Sequence, residues 1–230
     1  MHIVFDAYGT LWNVSRIEEA CREEVGVQAA GALLELWRKK QLEYAFLRTV
    51  MGRYVPFERV TADALAFALA SLQLQVSAEA SRRLVEAWSH PEAYADALPL
   101  LQRLTGHQRA ILSNGDPGIL ARGVEATGMG EHLGAVLSVA PQEHYKPHPD
   151  AYQLVCDFWN VDPEDIVFVS SNGWDVAGAS HFGFQTIWIN RSDLPQEGLA
   201  ARGTGSSTGG PGIESGRTTV GSRSGGTVKS

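Results

Sequence analysis

The sequence predicts an α/β fold: a parallel sheet with helices on both faces, carrying an all-helical cap inserted after the first strand. In the second half of the chain, short apolar runs alternate with stretches of helical periodicity, an order typical of parallel sheets. The apolar run at the start is followed instead by a long segment whose apolar residues recur only at helical spacing. A second, helical unit therefore interrupts the alternating pattern.

The predicted strands are brief apolar runs bounded by turn-forming residues. The first ends abruptly at Asp6, where a glycine-containing turn begins, as expected for a buried strand. The run at 135–139 is the weakest of the set. The strands are predicted over residues 2–5, 109–112, 135–139, 165–169 and 186–189.

Helices are predicted between the later strands, over residues 117–127 and 149–159. Pro117 and Pro149 lie at their first turns, where a missing backbone N–H leaves no helical hydrogen bond unmade. Strands that alternate with helices in this way favour a sheet covered on both faces.

The segment 14–94 is predicted to form a small helical bundle, because its apolar residues recur at helical spacing. Helices are predicted over 64–74 and 78–88, and Trp37 is expected in the bundle core. The periodicity is clearest at Leu33, Leu34, Trp37, Leu42, Phe46, Leu47 and Val50.

The pattern predicts three regions along the chain. An α/β core domain comprises residues 1–13 and 95–198, and the helical cap domain comprises 14–94. The remaining residues, 199–230, are rich in Gly, Ser and Thr and contain almost no large apolar side chains. Because such a segment buries too little surface to offset chain entropy, it is predicted to be a disordered tail.

The bulk composition excludes several classes of protein. Hydrophobic residues make up 44% and charged residues 20%, which is ordinary for a soluble globular chain. A net charge of -7 argues against nucleic-acid binding, which usually requires a basic face. Cys21 and Cys156 lie too far apart for metal-ligand spacing and favour a reducing compartment. With no leader and no long apolar run, we expect a cytoplasmic protein without a membrane partner.

Polar clusters follow four of the apolar runs or the loops after them. The carboxyl ends of parallel strands meet at one edge of the sheet, so these clusters are expected to converge there. The convergence brings together a carboxylate, a hydroxyl, a lysine and a second carboxylate. The clusters are Asp6 to Leu11, Ser113 to Gly115, Tyr145 to Pro147, and Ser170 to Asp175.

In this order, the clusters resemble the four motifs of the haloacid dehalogenase superfamily. DAYGTL, LWRKKQLEY, ILSNGD, YKPHPDAY and FVSSNGWDVAGASHFGFQTIWINR resemble more narrowly the L-2-haloacid dehalogenases, over about residues 1–194. The resemblance implies a Rossmann-like parallel sheet core with a helical cap, and no cofactor. The implied activity is hydrolysis of short L-2-haloacids to D-2-hydroxy acids through an aspartyl ester, with the small 2-haloacid and halide as binding partners.

The residue types favour this narrower resemblance over a phosphatase. A superfamily phosphatase carries a second acid two residues after the nucleophile to protonate its leaving group, whereas this chain has Tyr8 there. Halide leaves without a proton. Mg²⁺ requires several hard oxygen ligands, but the last cluster offers one carboxylate, Asp175. Lys146 can supply positive charge in place of a metal, so we expect a metal-independent enzyme.

The resemblance also implies roles for the residues that take part in chemistry. Asp6 is the nucleophile, Arg38 of the cap stabilises the departing halide together with Asn114, and Asp175 activates the hydrolytic water. Because Arg38 lies in a charged helical run, typical of a solvated face, its assignment depends on the resemblance. The catalytic set is Asp6, Thr10, Arg38, Ser113, Lys146, Tyr152, Ser170, Asn172 and Asp175.

The substrate carboxylate is expected to bind Ser113, Lys146 and backbone N–H groups of the turn after Asp6. An apolar wall is expected around the carbon chain, since a dry pocket strengthens charge interactions. The substrate-binding set is Tyr8, Arg38, Leu42, Phe57, Ser113, Asn114, Lys146 and Trp174. His144 and His148 flank Lys146 and are predicted to be solvated loop residues.

Other interpretations remain open at the level of sequence. One is a phosphatase of a small phosphorylated metabolite, with Mg²⁺ bound by Asp6 and Asp175. Another is an inactive protein whose cap closes on a small carboxylate. Asp175 also has a purely structural interpretation as the salt-bridge partner of Lys146. The resemblance and the mixed apolar and charged cap helices are compatible with a homodimer.

Overall fold

The computed structural model describes residues 1–199 and the backbone of 205–207. In this part of the chain, six parallel strands form a sheet in the order β5-β4-β1-β6-β7-β8. A separate antiparallel ribbon consists of β2 and β3. The strands are β1 His2–Phe5, β2 Trp12–Asn13, β3 Glu92–Ala93, β4 Gln108–Ser113, β5 Ala135–Ser138, β6 Ile166–Ser170, β7 Gln185–Ile189 and β8 Gly205–Ser207.

The helices divide into those that precede β3 and those that alternate with the later strands. The first group has the helical spacing predicted from sequence, and the second group covers the sheet. The helices are α1 Ser15–Val25, α2 Val27–Val50, α3 Phe57–Ser71, α4 Ala78–Glu86, α5 Ala97–Arg103, α6 Pro117–Thr127, α7 Pro149–Trp159 and α8 Gly173–Phe182.

Strand β1 lies at the centre of the sheet, and its alternate side chains enter apolar clusters on opposite faces. Phe5 packs with residues of the cap and of α6, whereas Val4 packs with residues of α7. In register, Phe5 pairs with Ile111 of β4 and Val169 of β6. The prediction of a parallel sheet covered by helices on both faces is confirmed.

The predicted strands and core helices agree closely with the structure. β1, α6 and α7 have the predicted limits, and the other predicted strands differ by one residue, β5 and β7 at one end and β4 and β6 at both ends. Pro117 and Pro149 occupy the first turns of their helices. No helix in the described part of the chain combines the length and apolar character needed to span a membrane.

The cap helices differ more from prediction. α3 begins at Phe57, seven residues before the predicted start, because Pro56 provides the non-helical entry and the first turn follows directly. It ends at Ser71, and Gln73 beyond it has a left-handed φ of 54°. α4 stops at Glu86 and gives way to one turn of 3₁₀ helix. Trp37 is fully buried, as predicted.

The β2–β3 ribbon joins the two ends of the helical segment. Trp12 pairs with Ala93 and Asn13 with Glu92, so the chain leaves and re-enters the core side by side. No sequence pattern predicted this ribbon. Because the ribbon joins residues 12–13 to residues 92–93, close to the limits of the helical segment, it supports the proposal that 14–94 form a cap distinct from the core.

Most of the predicted tail, 199–230, lies outside the described residues. For Gly205–Ser207 the prediction of disorder is wrong, because these residues form β8 and pair in parallel with β7. The physical reason is that an edge strand presents unpaired N–H and C=O groups to any extended segment nearby. Backbone pairing of this kind requires no large apolar side chain.

Candidate active site

The Asp6 carboxylate lies at the carboxyl end of β1 and is almost fully buried. Lys146 Nζ donates to its Oδ1 at 2.9 Å. Its Oδ2 accepts hydrogen bonds from Asn172 Nδ2 at 2.7 Å and Thr10 Oγ1 at 3.1 Å, with Ser170 Oγ at 3.4 Å. Among the described residues, Oδ1 thus accepts one hydrogen bond, whereas Oδ2 accepts several. A carboxylate held in this way has a fixed orientation.

The turn after Asp6 requires a glycine at position 9. Gly9 has a φ of 87°, in the left-handed region that favours glycine. A Cβ at this position would lie 3.0 Å from Ser171 Oγ and within 4 Å of the Asn172 side chain. Both the backbone conformation and the close approach of Ser171 therefore favour glycine at this position.

Lys146 is buried and uses all three of its ammonium protons within the protein. Nζ donates to Asp6 Oδ1 at 2.9 Å, to Asp175 Oδ2 at 2.6 Å and to Leu112 O at 3.0 Å. Burial alone would lower the pKa of Lys146, but Asp175 and Asp6 raise it above its ordinary value, which keeps the side chain charged. Because all three donors are engaged within the protein, the contact of Lys146 with substrate stays a prediction.

Asp175 lies in the first turn of α8, with no exposed surface. Its Oδ1 accepts a hydrogen bond from Tyr152 Oη at 2.8 Å, and Oδ2 accepts the one from Lys146. Burial raises the pKa of Asp175 to about 6; Lys146 lowers it, and the charge of Asp6 raises it. Two carboxylates share one ammonium here, so one negative charge is left uncompensated among these three groups.

Tyr152 is a hydrogen-bond donor to Asp175. Burial raises its pKa well above the ordinary value, and the Asp175 carboxylate raises it further. The hydroxyl therefore stays protonated and donates a hydrogen bond to the carboxylate. Thr10, Tyr152 and Ser170 are all fully buried behind Asp6.

Arg38 approaches Asp6 from the cap helix α2. Its Nη1 donates to Gln41 Oε1 at 2.8 Å, and its guanidinium carbon lies 5.3 Å from the centroid of the Trp88 ring. Burial lowers the pKa of Arg38, and the charge of Asp6 opposes this effect. Because its hydrogen-bond partner is a neutral amide, the guanidinium retains donors for an anion.

Gln41 and Thr61 fix Arg38 in place and were missed in the sequence analysis. Gln41 is fully buried, and its Nε2 donates to Thr61 Oγ1 at 2.7 Å. Thr61 Oγ1 in turn donates to Phe57 O at 2.8 Å. The three-residue spacing of Arg38 and Gln41 on a helix was the available signal. Thr61 had no local signal, because it lies on another helix.

Ser113 and Asn114 form the turn after β4. Ser113 Oγ accepts a hydrogen bond from Gly115 N at 3.2 Å, which leaves its own proton for another acceptor. Asn114 Oδ1 accepts one from Lys146 N at 2.8 Å, so its Nδ2 group remains as a donor. Both residues therefore retain donor capacity at the cleft that they line.

Tyr8 joins the core to the end of the cap. Its hydroxyl donates to the backbone carbonyl of Trp88, and burial raises its pKa above the ordinary value. The proton is thus already engaged, and the ring rather than the hydroxyl faces the cleft. Tyr8 also packs edge-on against Trp12 at a centroid distance of 5.2 Å. Tyr8 therefore contributes apolar surface to the cleft lining rather than a hydrogen bond to the substrate.

A cleft between core and cap unites the predicted substrate-binding residues. The cleft is narrow, with a free volume of about 20 Å³. Thr10, Tyr152, Ser170 and Asp175 lie outside its lining and support it from behind. The lining consists of Asp6, Tyr8, Arg38, Leu42, Phe57, Ser113, Asn114, Gly115, Lys146, Asn172 and Trp174.

Comparisons with known proteins agree with this geometry. The family model for haloacid dehalogenase-like hydrolases matches residues 1–183. The chain is 43% identical over 196 residues to (S)-2-haloacid dehalogenase 1 of Pseudomonas sp. strain CBS-3, covering 84% of this chain and 86% of that protein. It is 42% identical over 198 residues to the (S)-2-haloacid dehalogenase of Xanthobacter autotrophicus, covering 86% and 77%.

Solved structures show the same likeness. The L-2-haloacid dehalogenase RSc1362 superposes with a TM-score of 0.83 at 39% identity, covering 86% of this chain and 89% of that one. The Xanthobacter autotrophicus enzyme with chloropropionic acid covalently bound superposes with a TM-score of 0.79 at 40% identity, covering 85% and 78%. The chain therefore belongs to the (S)-2-haloacid dehalogenases, a family of haloacid dehalogenase-like hydrolases.

Proposed function

We propose that this protein hydrolyses short L-2-haloacids to D-2-hydroxy acids through an ester of Asp6. The observation that best supports this proposal is the Asp6 carboxylate, which Lys146 orients at 2.9 Å and which lines the same cleft as Arg38 of the cap helix α2. A nucleophile and a cation that face each other across a small cleft suit displacement of an anionic leaving group.

In the first step, Asp6 Oδ1 attacks C2 of the substrate from the side opposite the halogen. The new C–O bond forms as the carbon–halogen bond breaks, which inverts C2 and releases halide. Oδ1 is assigned because Oδ2 already accepts hydrogen bonds from Asn172 and Thr10. Halide leaves toward Arg38, whose weakly hydrated charge suits a large anion.

In the second step, water attacks the ester carbonyl carbon of Asp6. The bond between this carbon and the alkylated oxygen breaks, and the D-2-hydroxy acid leaves with a proton. Thr10 and Asn172 donate to Oδ2, where negative charge develops. We assign Asp175 as the base that takes the water proton, with the water approaching from the buried side of Asp6.

The substrate carboxylate is assigned to Ser113, Asn114 and backbone N–H groups rather than to Lys146. The first two line the cleft with donors in reserve, whereas Lys146 has none. The carbon chain then lies against a wall of apolar side chains, which favours a short aliphatic acid. The wall consists of Leu42, Phe57 and Trp174.

The residues do not fit a magnesium ion, which argues against the phosphatase alternative. Mg²⁺ requires about six oxygen ligands in octahedral geometry. The Lys146 ammonium lies between the Asp6 and Asp175 carboxylates, at 2.9 and 2.6 Å, and occupies the place of a bridging cation. We therefore propose that the reaction is independent of metal.

The decisive assay measures halide release from each enantiomer of 2-chloropropionate in EDTA, beside phosphate release from a generic phosphate ester with Mg²⁺. We expect halide from the L-enantiomer alone. Mg²⁺-dependent phosphate release without halide would assign the chain to the phosphatases. Binding of 2-chloropropionate without turnover would identify an inactive carboxylate-binding protein.

The rate of dehalogenation is expected to fall below about pH 6, the value to which burial raises the pKa of Asp175. Above this pKa the carboxylate is ionised and can accept the water proton; below it, the protonated form cannot. We expect kcat to drop about tenfold per pH unit on the acid side. Circular dichroism across the same range serves as the control for acid unfolding. A rate unchanged down to about pH 5 would contradict the role of Asp175.

Gln41→Leu is expected to lower kcat by about tenfold to hundredfold, because Arg38 loses the acceptor that fixes it. Chloride is a poorer leaving group than bromide and depends more on Arg38, so the 2-chloro acid should lose more activity than the 2-bromo acid. Steady-state kinetics on both substrates test this expectation. The control is Gln28→Leu, an exposed position on the same helix. Equal losses on both substrates would limit Gln41 to a structural role.

We also propose that the chain forms a homodimer through the cap. The end of α2 exposes Leu47, Val50 and Met51, of which Val50 is 83% exposed. Association would remove this apolar surface from water. Sedimentation equilibrium tests the proposal, and a monomer at micromolar concentration would contradict it. A cytoplasmic location remains a prediction from the sequence.

A further inference from the structure

We propose that His144, His148 and Asp150 form a surface site for a divalent transition metal ion, of which Zn²⁺ is the probe. The two histidines flank the turn that carries Lys146, and Asp150 lies in the first turn of α7. Their ligand atoms lie within 4.8 Å of one another. This site is separate from the catalytic cleft, whose lining contains none of the three.

The two imidazole rings have a mutual geometry that the sequence did not predict. The rings stack at a centroid distance of 4.0 Å with an interplanar angle of 18°. Both present Nδ1 to the same carboxylate oxygen: Asp150 Oδ2 lies 2.9 Å from His144 Nδ1 and 3.6 Å from His148 Nδ1. Both histidines lie in a partly exposed loop, as predicted, and the tight turn between them brings their rings together.

The hydrogen bonding of the cluster is incomplete. Within the described residues, His144 Nδ1 is buried without an aligned hydrogen bond, although the Asp150 carboxylate is near. His148 Nδ1 accepts a long bond of 3.3 Å from Asp150 N, which caps α7. Two protonated rings stacked at this distance would repel each other. A metal ion satisfies both nitrogens and the carboxylate without adding a proton to either ring.

The donor set selects the class of ion. Two imidazoles and one carboxylate suit Zn²⁺, Ni²⁺, Co²⁺ or Cu²⁺, whereas Mg²⁺ and Ca²⁺ prefer oxygen ligands alone. Zinc bonds to nitrogen and oxygen are about 2.0 to 2.2 Å long, so the side chains must shift to bring all three ligand atoms to that distance from one ion. The side chains of His144 and His148 are 33% and 36% exposed, which gives them room to move and admits water as a further ligand.

The backbone that carries the ligands is already fixed. His148 N donates to Tyr145 O at 3.0 Å, closing the turn, and Lys146 N donates to Asn114 Oδ1 at 2.8 Å. Tyr145 N also donates to Thr49 Oγ1 at 3.0 Å. Binding therefore requires side-chain movement rather than refolding of the loop, which lowers its entropic cost.

The test is calorimetric titration of the untagged full-length chain with Zn²⁺, after treatment with EDTA and its removal. We expect one ion per chain and a rise in Tm, because the ion binds the folded state. His144→Ala and His148→Ala should each weaken binding by about tenfold or more. Asp150→Asn should weaken it as well, and Mg²⁺ should give no binding heat.

His132→Ala is the matched control, since it removes a partly exposed histidine from another part of the surface. It should leave Zn²⁺ affinity unchanged. Thermal melting of each metal-free variant verifies that the fold is intact. No Zn²⁺ binding by the unmodified chain, or equal affinity in the His144 and His148 variants, would overturn the proposal.

Discussion

Asp6→Asn is expected to abolish turnover, lowering kcat by at least about 10⁴-fold, because the amide cannot form the ester with C2. Halide release under saturating substrate measures the loss. Asp157→Asn is the matched control, since Asp157 is exposed on α7 and bonds only Gln153 among its described neighbours. Mass spectrometry must show that the asparagine has not been hydrolysed back to aspartate.

Isotope labelling distinguishes a covalent ester from direct attack by water on C2. With enzyme in excess in H₂¹⁸O, a single turnover should give a product that contains ordinary oxygen, taken from Asp6. The heavy oxygen should instead enter the peptide that contains Asp6. Heavy oxygen in the first-turnover product would contradict the nucleophilic role of Asp6, whatever the loss of rate in the Asn variant.

Lys146→Met is expected to lower both activity and stability. It leaves Asp6 and Asp175 buried beside each other without the ammonium that lies 2.9 and 2.6 Å from them. Removing one partner of a buried ion pair costs about 3–5 kcal/mol of unfolding free energy. Urea unfolding measures this loss, and we expect kcat to fall by at least about a hundredfold because Asp6 loses its orientation.

The stability loss in Lys146→Met should depend on pH in a defined direction. Without the lysine, the charge of Asp6 still raises the pKa of Asp175, and the opposing effect of Lys146 is gone. Stability is then retained at low pH, where one carboxylate holds a proton, and is lost as pH rises through the raised pKa. Adding Asp175→Asn should restore stability without activity. A double variant no more stable than Lys146→Met would show that packing, not charge, caused the loss.

The positions of the catalytic groups at the edge of the sheet were predictable because these groups follow a strand or its loop, unlike Arg38 on α2 and Tyr152 on α7. Asp6, Ser113 and Ser170 come at the ends of β1, β4 and β6, and parallel strands direct these ends to one edge. Position alone did not reveal how the donors are shared. That Lys146 has no donor left for substrate depends on Leu112 O at 3.0 Å, a backbone contact that residue types do not encode.

The periodicity of apolar residues could not predict which side chains of different cap helices are in contact. Helical spacing places Gln41 on a face of α2 but does not say that Thr61 of α3 meets it at 2.7 Å. The two-residue strands of the β2–β3 ribbon are too short to show any alternation of apolar and polar residues. Both features depend on tertiary packing, which overrides local preference.

The central place of β1 in the sheet has a consequence for biosynthesis. In register, His2 pairs with Gln108 of β4 and Ile166 of β6, so β1 is synthesised well before the two strands that it pairs with. The cap helices are linked by local contacts and can form in the meantime. In a nascent chain that does not yet include β6, one edge of β1 is therefore unpaired. A chaperone that covers this edge would protect the incomplete chain from aggregation.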